Sequence, residues 1–153
     1  MKLTLLCVGR IKNGPERELV DDYLCRARKT GTSLGFRSID EIELDSRGGT
    51  QREGERILQK LPKGAQIIRL DERGKQIRSE AFAELLSKNK DQGSDICFLI
   101  GGADGYSESV ISAVPETFSL GKLTLPHKMV RAILSEQIYR GISILAGTPY
   151  HKD

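Results

Sequence analysis

The sequence predicts an α/β protein: a largely parallel sheet with helices on both faces. Three observations carry this. Strand-like and helix-like segments alternate five times along the chain, the strand-like runs are short and almost wholly apolar, and the segments between them repeat apolar residues at helical spacing. No linker, low-complexity stretch or internal repeat interrupts the alternation, so residues 1–153 are read as one domain.

Lys2 to Gly9 is an apolar run stopped by glycine, as expected of a strand covered on both faces. Asn13-Gly14-Pro15 supplies a turn and a helix-starting proline; Leu19, Val20, Tyr23, Leu24 and Ala27 then mark the buried side of a helix ended by Gly31. Leu34 to Leu44, with Phe36, Ile39, Ile42 and Leu44 among polar residues, reads as the second strand. The polar loop Asp45 to Thr50 is either a plain connection or, with its Arg47-Gly48-Gly49, a place where a phosphate or sugar could approach. Gln51 to Leu61 is expected as a helix turning Ile57, Leu58 and Leu61 inward, stopped by Pro62-Lys63-Gly64. Ala65 to Leu70 is the third strand and Asp71-Glu72-Arg73-Gly74 the turn at its carboxyl end. Ser79 is expected to cap a helix that buries Phe82, Leu85 and Leu86. Asp95 to Ile100 is the clearest buried strand, followed directly by Gly101-Gly102-Ala103-Asp104-Gly105 and a helix opened by Ser107. A short strand near Thr117 to Leu120 and a long helix from about Pro126 to Ala146, with Ala132, Ile133, Ile138 and Ile142 as its core stripe, complete the pattern.

Composition narrows the function classes. No apolar run approaches the ~18 residues of a membrane span; the N-terminus lacks a secretory pattern, so a cytoplasmic protein is expected. Cys7, Cys25 and Cys97 are odd in number and set in apolar patterns, and read as buried reduced thiols. With only His127 and His151 and no Cys-x-x-Cys pair, no metal site is expected. Residues 122–153 hold Lys122, Lys128, Arg131, Arg140 and Lys152 against Glu136 and Asp153, so the whole +3 of the chain resides there. That asymmetry suits either an anionic partner such as nucleic acid or an ordinary solvated helix face.

In a parallel sheet, ligands bind outside the carboxyl ends of the strands. Three turns lie there: after Leu70, at Gly101-Gly102, and at Leu120 to Leu125. The double glycine matches neither the dinucleotide fingerprint nor the phosphate-binding loop; it either admits a flat ligand to the backbone or simply turns the chain into the next helix. Leu120-Gly121-Lys122-Leu123-Thr124-Leu125 is apolar enough to be expected buried, by core packing or by a ligand such as adenosine. His127 suits helix capping, packing or acid–base work, and Arg140 could face solvent or a pocket. The closing Tyr150-His151-Lys152 combines a stacking ring, a titratable ring and a cation.

Leu99-Ile100-Gly101-Gly102, Leu120 to His127, Tyr139-Arg140 and Pro149-Tyr150-His151 together resemble the knotted methyltransferases of the SPOUT superfamily. The likeness is to the small enzymes that methylate N3 of a pseudouridine in the large ribosomal RNA, and it extends over the whole chain. The resemblance implies a deep C-terminal trefoil knot, S-adenosylmethionine bound in it, and a homodimer with its active site near the subunit interface. Carried over by position, it implies cofactor contacts at Leu70, Gly101, Leu120, Gly121, Lys122, Leu123, Thr124 and Leu125. For catalysis it points to Arg140 for charge stabilisation, His151 as a base with His127 in reserve, and Tyr150 as a stacking group, with ribosomal RNA or the ribosome as substrate. Two other readings fit the same residues: a methyltransferase acting on a ribose or on transfer RNA, and a non-enzymatic RNA- or nucleotide-binding module.

Overall fold

Alternating apolar residues make Lys2–Val8 an interior strand, β1: Leu3, Leu5 and Cys7 enter one core while Leu6 and Val8 enter a second on the opposite face. The computed structural model describes residues 1–152. Asp153, counted above in the tail and the charge balance, lies outside the described residues. The other strands are β2 (Ser38–Leu44), β3 (Gln66–Lys75), β4 (Ile96–Ile100) and β5 (Thr117–Phe118), and all pair in parallel in the order β2-β1-β4-β3-β5. The helices are α1 (Pro15–Gly31), α2 (Gly49–Lys60), α3 (Ser79–Asp91), α4 (Glu108–Ala113) and α5 (His127–Ala146).

Helices α1, α3 and α5 bury Val20, Leu24, Phe82, Leu86, Leu134, Ile138 and Ile142 on one face of the sheet. On the other, α2 and α4 bring Ile57 and Val110 against Leu6, Val8, Cys97 and Leu99. Each helix returns the chain antiparallel to the strands, so every strand's carboxyl end opens on the same edge of the sheet. The expected α/β architecture with helices on both faces is therefore present.

Several local expectations are corrected. Strand β2 starts at Ser38, because Thr32–Leu34 forms a 3-10 turn and Gly35, left-handed at φ 94°, redirects the chain. The expected turn at Asp71–Gly74 lies inside β3: both Leu70 and Lys75 pair with Phe118, so the four residues between them bulge out of a continuing strand. Gly74 makes this possible, since a Cβ there would come within 3.0 Å of the Phe118 backbone. Ser79 begins α3 without capping it; Arg78 is the N-cap, and the Ser79 hydroxyl donates to Gln137 Oε1 at 2.7 Å. Ser107 does cap α4, accepting from the Val110 amide. Cys25 is exposed, whereas Cys7 and Cys97 are buried and their thiols are pushed up to about 12 by burial. Leu19, Ile42 and Leu58, expected inside, are exposed at the edges of their stripes. No helix among the described residues is long and apolar enough to cross a membrane.

Candidate active site

A cavity of about 390 Å³ lies at the carboxyl edge, where β3, β4 and the segment after β5 meet. Its walls include Leu70, Gly101, Leu120, Gly121, Leu123, Thr124 and Leu125, so the three turns singled out from the sequence converge on one space. Lys122 is exposed and is not among the lining residues.

Tyr106, which sequence reasoning passed over, ties the turns together. Its hydroxyl accepts from the Gly101 amide at 2.9 Å and has the Leu70 and Leu99 carbonyls at 2.8 and 3.0 Å to donate to. The ring lies so close to Gly101 that a Cβ there would sit 2.8 Å from it, which is why glycine follows β4. Arg69 stacks on the ring at 5.1 Å and pairs with Asp71 at 2.6 Å. Burial pushes the Tyr106 hydroxyl well above the ordinary phenol range, so it works as a neutral hydrogen-bonding pin.

The segment after β5 is anchored at one side only. Ser119 donates to the Gly121 and Glu72 carbonyls, at 2.7 and 3.1 Å, and Thr124 donates to Glu72 Oε2 at 2.8 Å. Its apolar side chains were expected to be buried, yet Leu123 is 79% exposed. The Ser119 and Thr124 hydroxyls tie the loop to Glu72, and Leu120 and Leu125 are half-buried against the cavity.

His127 is the first residue of α5, lines the cavity and caps nothing. Burial, with Arg131 and Lys128 nearby, holds its imidazole below the ordinary histidine range, so it is neutral at pH 7 and able to accept a proton. Behind it Arg131 is 1% exposed, donating to Glu41 at 3.0 Å, Glu43 at 2.5 Å and the Gly9 carbonyl at 2.9 Å. Arg17 completes this network by pairing with the same two glutamates. Arg131 was counted above in a basic C-terminal face; it is instead neutralised inside the protein.

Arg140, Tyr150 and His151 also come together, but elsewhere. Glu136 Oε1 accepts from Arg140 at 2.6 Å and from the Tyr150 hydroxyl at 2.9 Å, and Tyr150 packs on Tyr139 at 4.6 Å and under Arg140 at 4.8 Å. Arg140 faces His151 Nδ1 at 3.2 Å, which leaves the ring proton on Nε2, directed at Glu80 Oε1 at 3.3 Å. The tail is thus folded onto α5 and α3. None of these three residues lines the cavity. Thirteen residues separate Arg140 from His127 on one helix, about 20 Å at 1.5 Å per residue.

Glu53 was also missed. It sits on α2 beneath the double glycine, 7% exposed, with Oε2 unpartnered and 3.2 Å from where a Gly102 Cβ would be. Burial and Asp104 raise its pKa. A lone glutamate in an amphipathic helix carries no sequence signal for this. Among the described residues no cluster of His, Cys, Asp and Glu could hold a metal ion.

The family model described as a predicted SPOUT methyltransferase matches residues 1–151. The chain belongs to the SPOUT methyltransferase family. It is 54% identical to the ribosomal RNA large subunit methyltransferase H of Hyphomonas neptunium, over 99% of each chain. The protein of the same name from Maricaulis maris is 44% identical over the full length of both. In fold, this methyltransferase is similar to a probable methylase family protein from Haemophilus influenzae, with a TM-score of 0.51 and 9% identity over 99% of this chain and 70% of the other. That likeness concerns the fold alone.

Proposed function

We propose that this chain is a cytoplasmic, single-domain enzyme that transfers a methyl group from S-adenosylmethionine to N3 of a pseudouridine in the large-subunit ribosomal RNA. The observation that carries the reading is the cavity built from Leu70, Gly101 and the Leu120–Leu125 segment in a chain of this family. Its size lies within the ~300–1,000 Å³ typical of small-molecule sites. Leu70, Ile100, Leu120, Leu125 and Val130 offer apolar walls to an adenosine, and the turns at Gly101 and Gly121 offer backbone groups to its polar edge. The residues therefore fit the cofactor, and the C-terminal half of the chain would form the deep trefoil knot of the family. When bound, S-adenosylmethionine supplies an electrophilic methyl group.

The chain's own residues position and deprotonate. Tyr106 holds the Leu70 and Gly101 turns at fixed separation, so much of the rate comes from orientation. N3 of a pseudouridine carries a weakly acidic proton that must be removed or its anion stabilised. Neutral His127 at the cavity is placed to accept that proton. Because Arg140 is about 20 Å away along the same helix, a homodimer is proposed in which the Arg140, Tyr150 and His151 cluster of a second copy closes the site. There Arg140 would stabilise the N3 anion, Tyr150 would stack on or orient the base, and His151, engaged by Arg140 and Glu80, would hold Arg140 in place.

The deciding experiment is transfer of labelled methyl from S-adenosylmethionine to intact ribosomes, separated subunits and free ribosomal RNA, with the labelled nucleoside identified. Label on N3 of a pseudouridine is expected. Label on a ribose, on transfer RNA or on nothing would sink the assignment. His127→Ala is expected to keep cofactor affinity and lose turnover, whereas retained turnover would remove His127 as the base.

A further inference from the structure

Folding divides the basic excess near the C-terminus: Lys122, Lys128 and Lys152 stay exposed, while Arg131 and Arg140 are engaged by carboxylates. Arg131 is buried among Glu41, Glu43 and the Gly9 carbonyl, and Arg140 is held by Glu136. Two exposed cations without an ion pair among the described residues stand in the β1–α1 loop. Ile11 is 3% exposed and clamped on both sides: its amide donates to Glu43 at 2.8 Å, and its carbonyl accepts from Arg17 at 3.1 Å. With Ile11 turned inward, its neighbours Arg10 and Lys12 stand in solvent. Lys128 lies three residues before Arg131, hence on the same side of α5, one turn closer to the cavity mouth. Arg131 reaches Gly9, which puts the Arg10–Lys12 loop beside the first turns of α5, where His127 lines the cavity.

None of Arg10, Lys12 and Lys128 makes an ion pair among the described residues. The carboxylates beneath them, Glu41 and Glu43, are already neutralised by Arg17 and Arg131. Glu16 and Glu18 belong to the first turn of α1, beyond Pro15. The first turn of α5 has no side-chain cap and no acidic residue, and places Lys128 where the helix's own positive end disfavours a cation. Lys128 thus stands exposed in the first turn of α5 against the stability of the helix that carries it.

We propose that Arg10, Lys12 and Lys128 form a phosphate-binding cradle that holds the backbone of the substrate RNA across the His127 side of the cavity. The proposal rests on the RNA-methyltransferase reading above. The Arg17–Glu41–Glu43–Arg131 network sets the spacing of the cradle by fixing the loop to α5. Such contacts position an RNA without reading its sequence.

The test measures binding of labelled large-subunit ribosomal RNA to the full chain at a series of salt concentrations. It compares wild type, the triple variant Arg10→Gln/Lys12→Gln/Lys128→Gln, and a control, Lys29→Gln/Lys60→Gln/Lys63→Gln, whose charges sit at the opposite edge of the sheet. Three lost phosphate contacts should flatten the slope of log K against log salt by about 2 units, so that over a fourfold rise in salt wild type loses about 20-fold more affinity than the triple variant. S-adenosylmethionine affinity, measured on the same samples, should be unchanged and certifies folding. A triple variant with the wild-type slope, or a control that flattens equally, overturns the cradle while leaving the methyltransferase reading intact. A wild type that neither binds nor methylates RNA overturns both.

Discussion

The two ends of α5 differ in how their charges are satisfied. At the Arg140 end the side chains hold one another: Glu136 holds Arg140 and Tyr150, Glu80 meets His151, and Gly147, left-handed at φ 69°, closes the helix. At the His127 end, among the described residues, there is no side-chain cap, no first-turn carboxylate and no ion pair to Lys128 beside the cavity. One end is assembled in the free chain. The other leaves its helix start and Lys128 open beside a cavity. The contrast teaches that charge counted along the chain and charge left open after folding are different quantities.

Breaking the buried network tests what supports the open end. Arg131→Leu would strand Glu41 and Glu43 with only Arg17, and should cost about 3–5 kcal/mol in urea unfolding. A loss below about 1 kcal/mol would mean that the network is not structural.

Loosening the assembled end should cost less. Glu136→Gln removes the acceptor charge shared by Arg140 and Tyr150, with an expected loss of about 1–3 kcal/mol. Methyl transfer should fall while S-adenosylmethionine affinity is kept. Unchanged turnover would separate the tail from catalysis.

Glu53, beneath the double glycine, offers a further comparison, because it is buried and unpaired where Glu41 and Glu43 are half-buried and paired. Glu53→Gln should stabilise the protein at pH 8 by about 1 kcal/mol, since it removes an unsatisfied buried carboxylate. The sign follows from the raised pKa: the folded state holds the proton more tightly, so stability is greatest below the unfolded pKa and declines as pH rises through the folded one. The gap between wild type and variant should therefore close on acidification, and a gap constant with pH would contradict the assignment.

The smallest effect sharpens the contrast most. Lys128→Glu places an acid in the first turn of α5 and should raise stability by about 0.3–1 kcal/mol. RNA affinity should drop in the same variant. Gain of stability with undiminished RNA binding would show that the cations at this end are incidental.

Reading the chain located the cavity but not its construction. Gly101-Gly102 and Leu120–Leu125 were visible as unusual turns at strand ends, and both line the cavity. The reason for Gly101 lay five residues on, in Tyr106, whose role depends on how the ring folds back. Asp71–Gly74 looked like a turn because its composition is that of one; pairing with β5 decided otherwise. Leu123 looked like core because hydrophobicity does not report which side of a loop faces the protein.

By itself the sequence determined the order and kind of the elements, the two-faced core of β1 and β4, and the edge on which ligands bind, because each follows from periodicity and turn chemistry within a few residues. The sheet order β2-β1-β4-β3-β5 was left to tertiary structure, and with it every long-range partnership. Arg131 lies 90 residues from Glu41 and 122 from Gly9, yet the three touch because α5 packs back over the end of β1. A count of charges along the chain cannot see such a pairing. Charge has an effect through its neighbours in space, and only the folded chain decides which of its cations remain free to meet a phosphate.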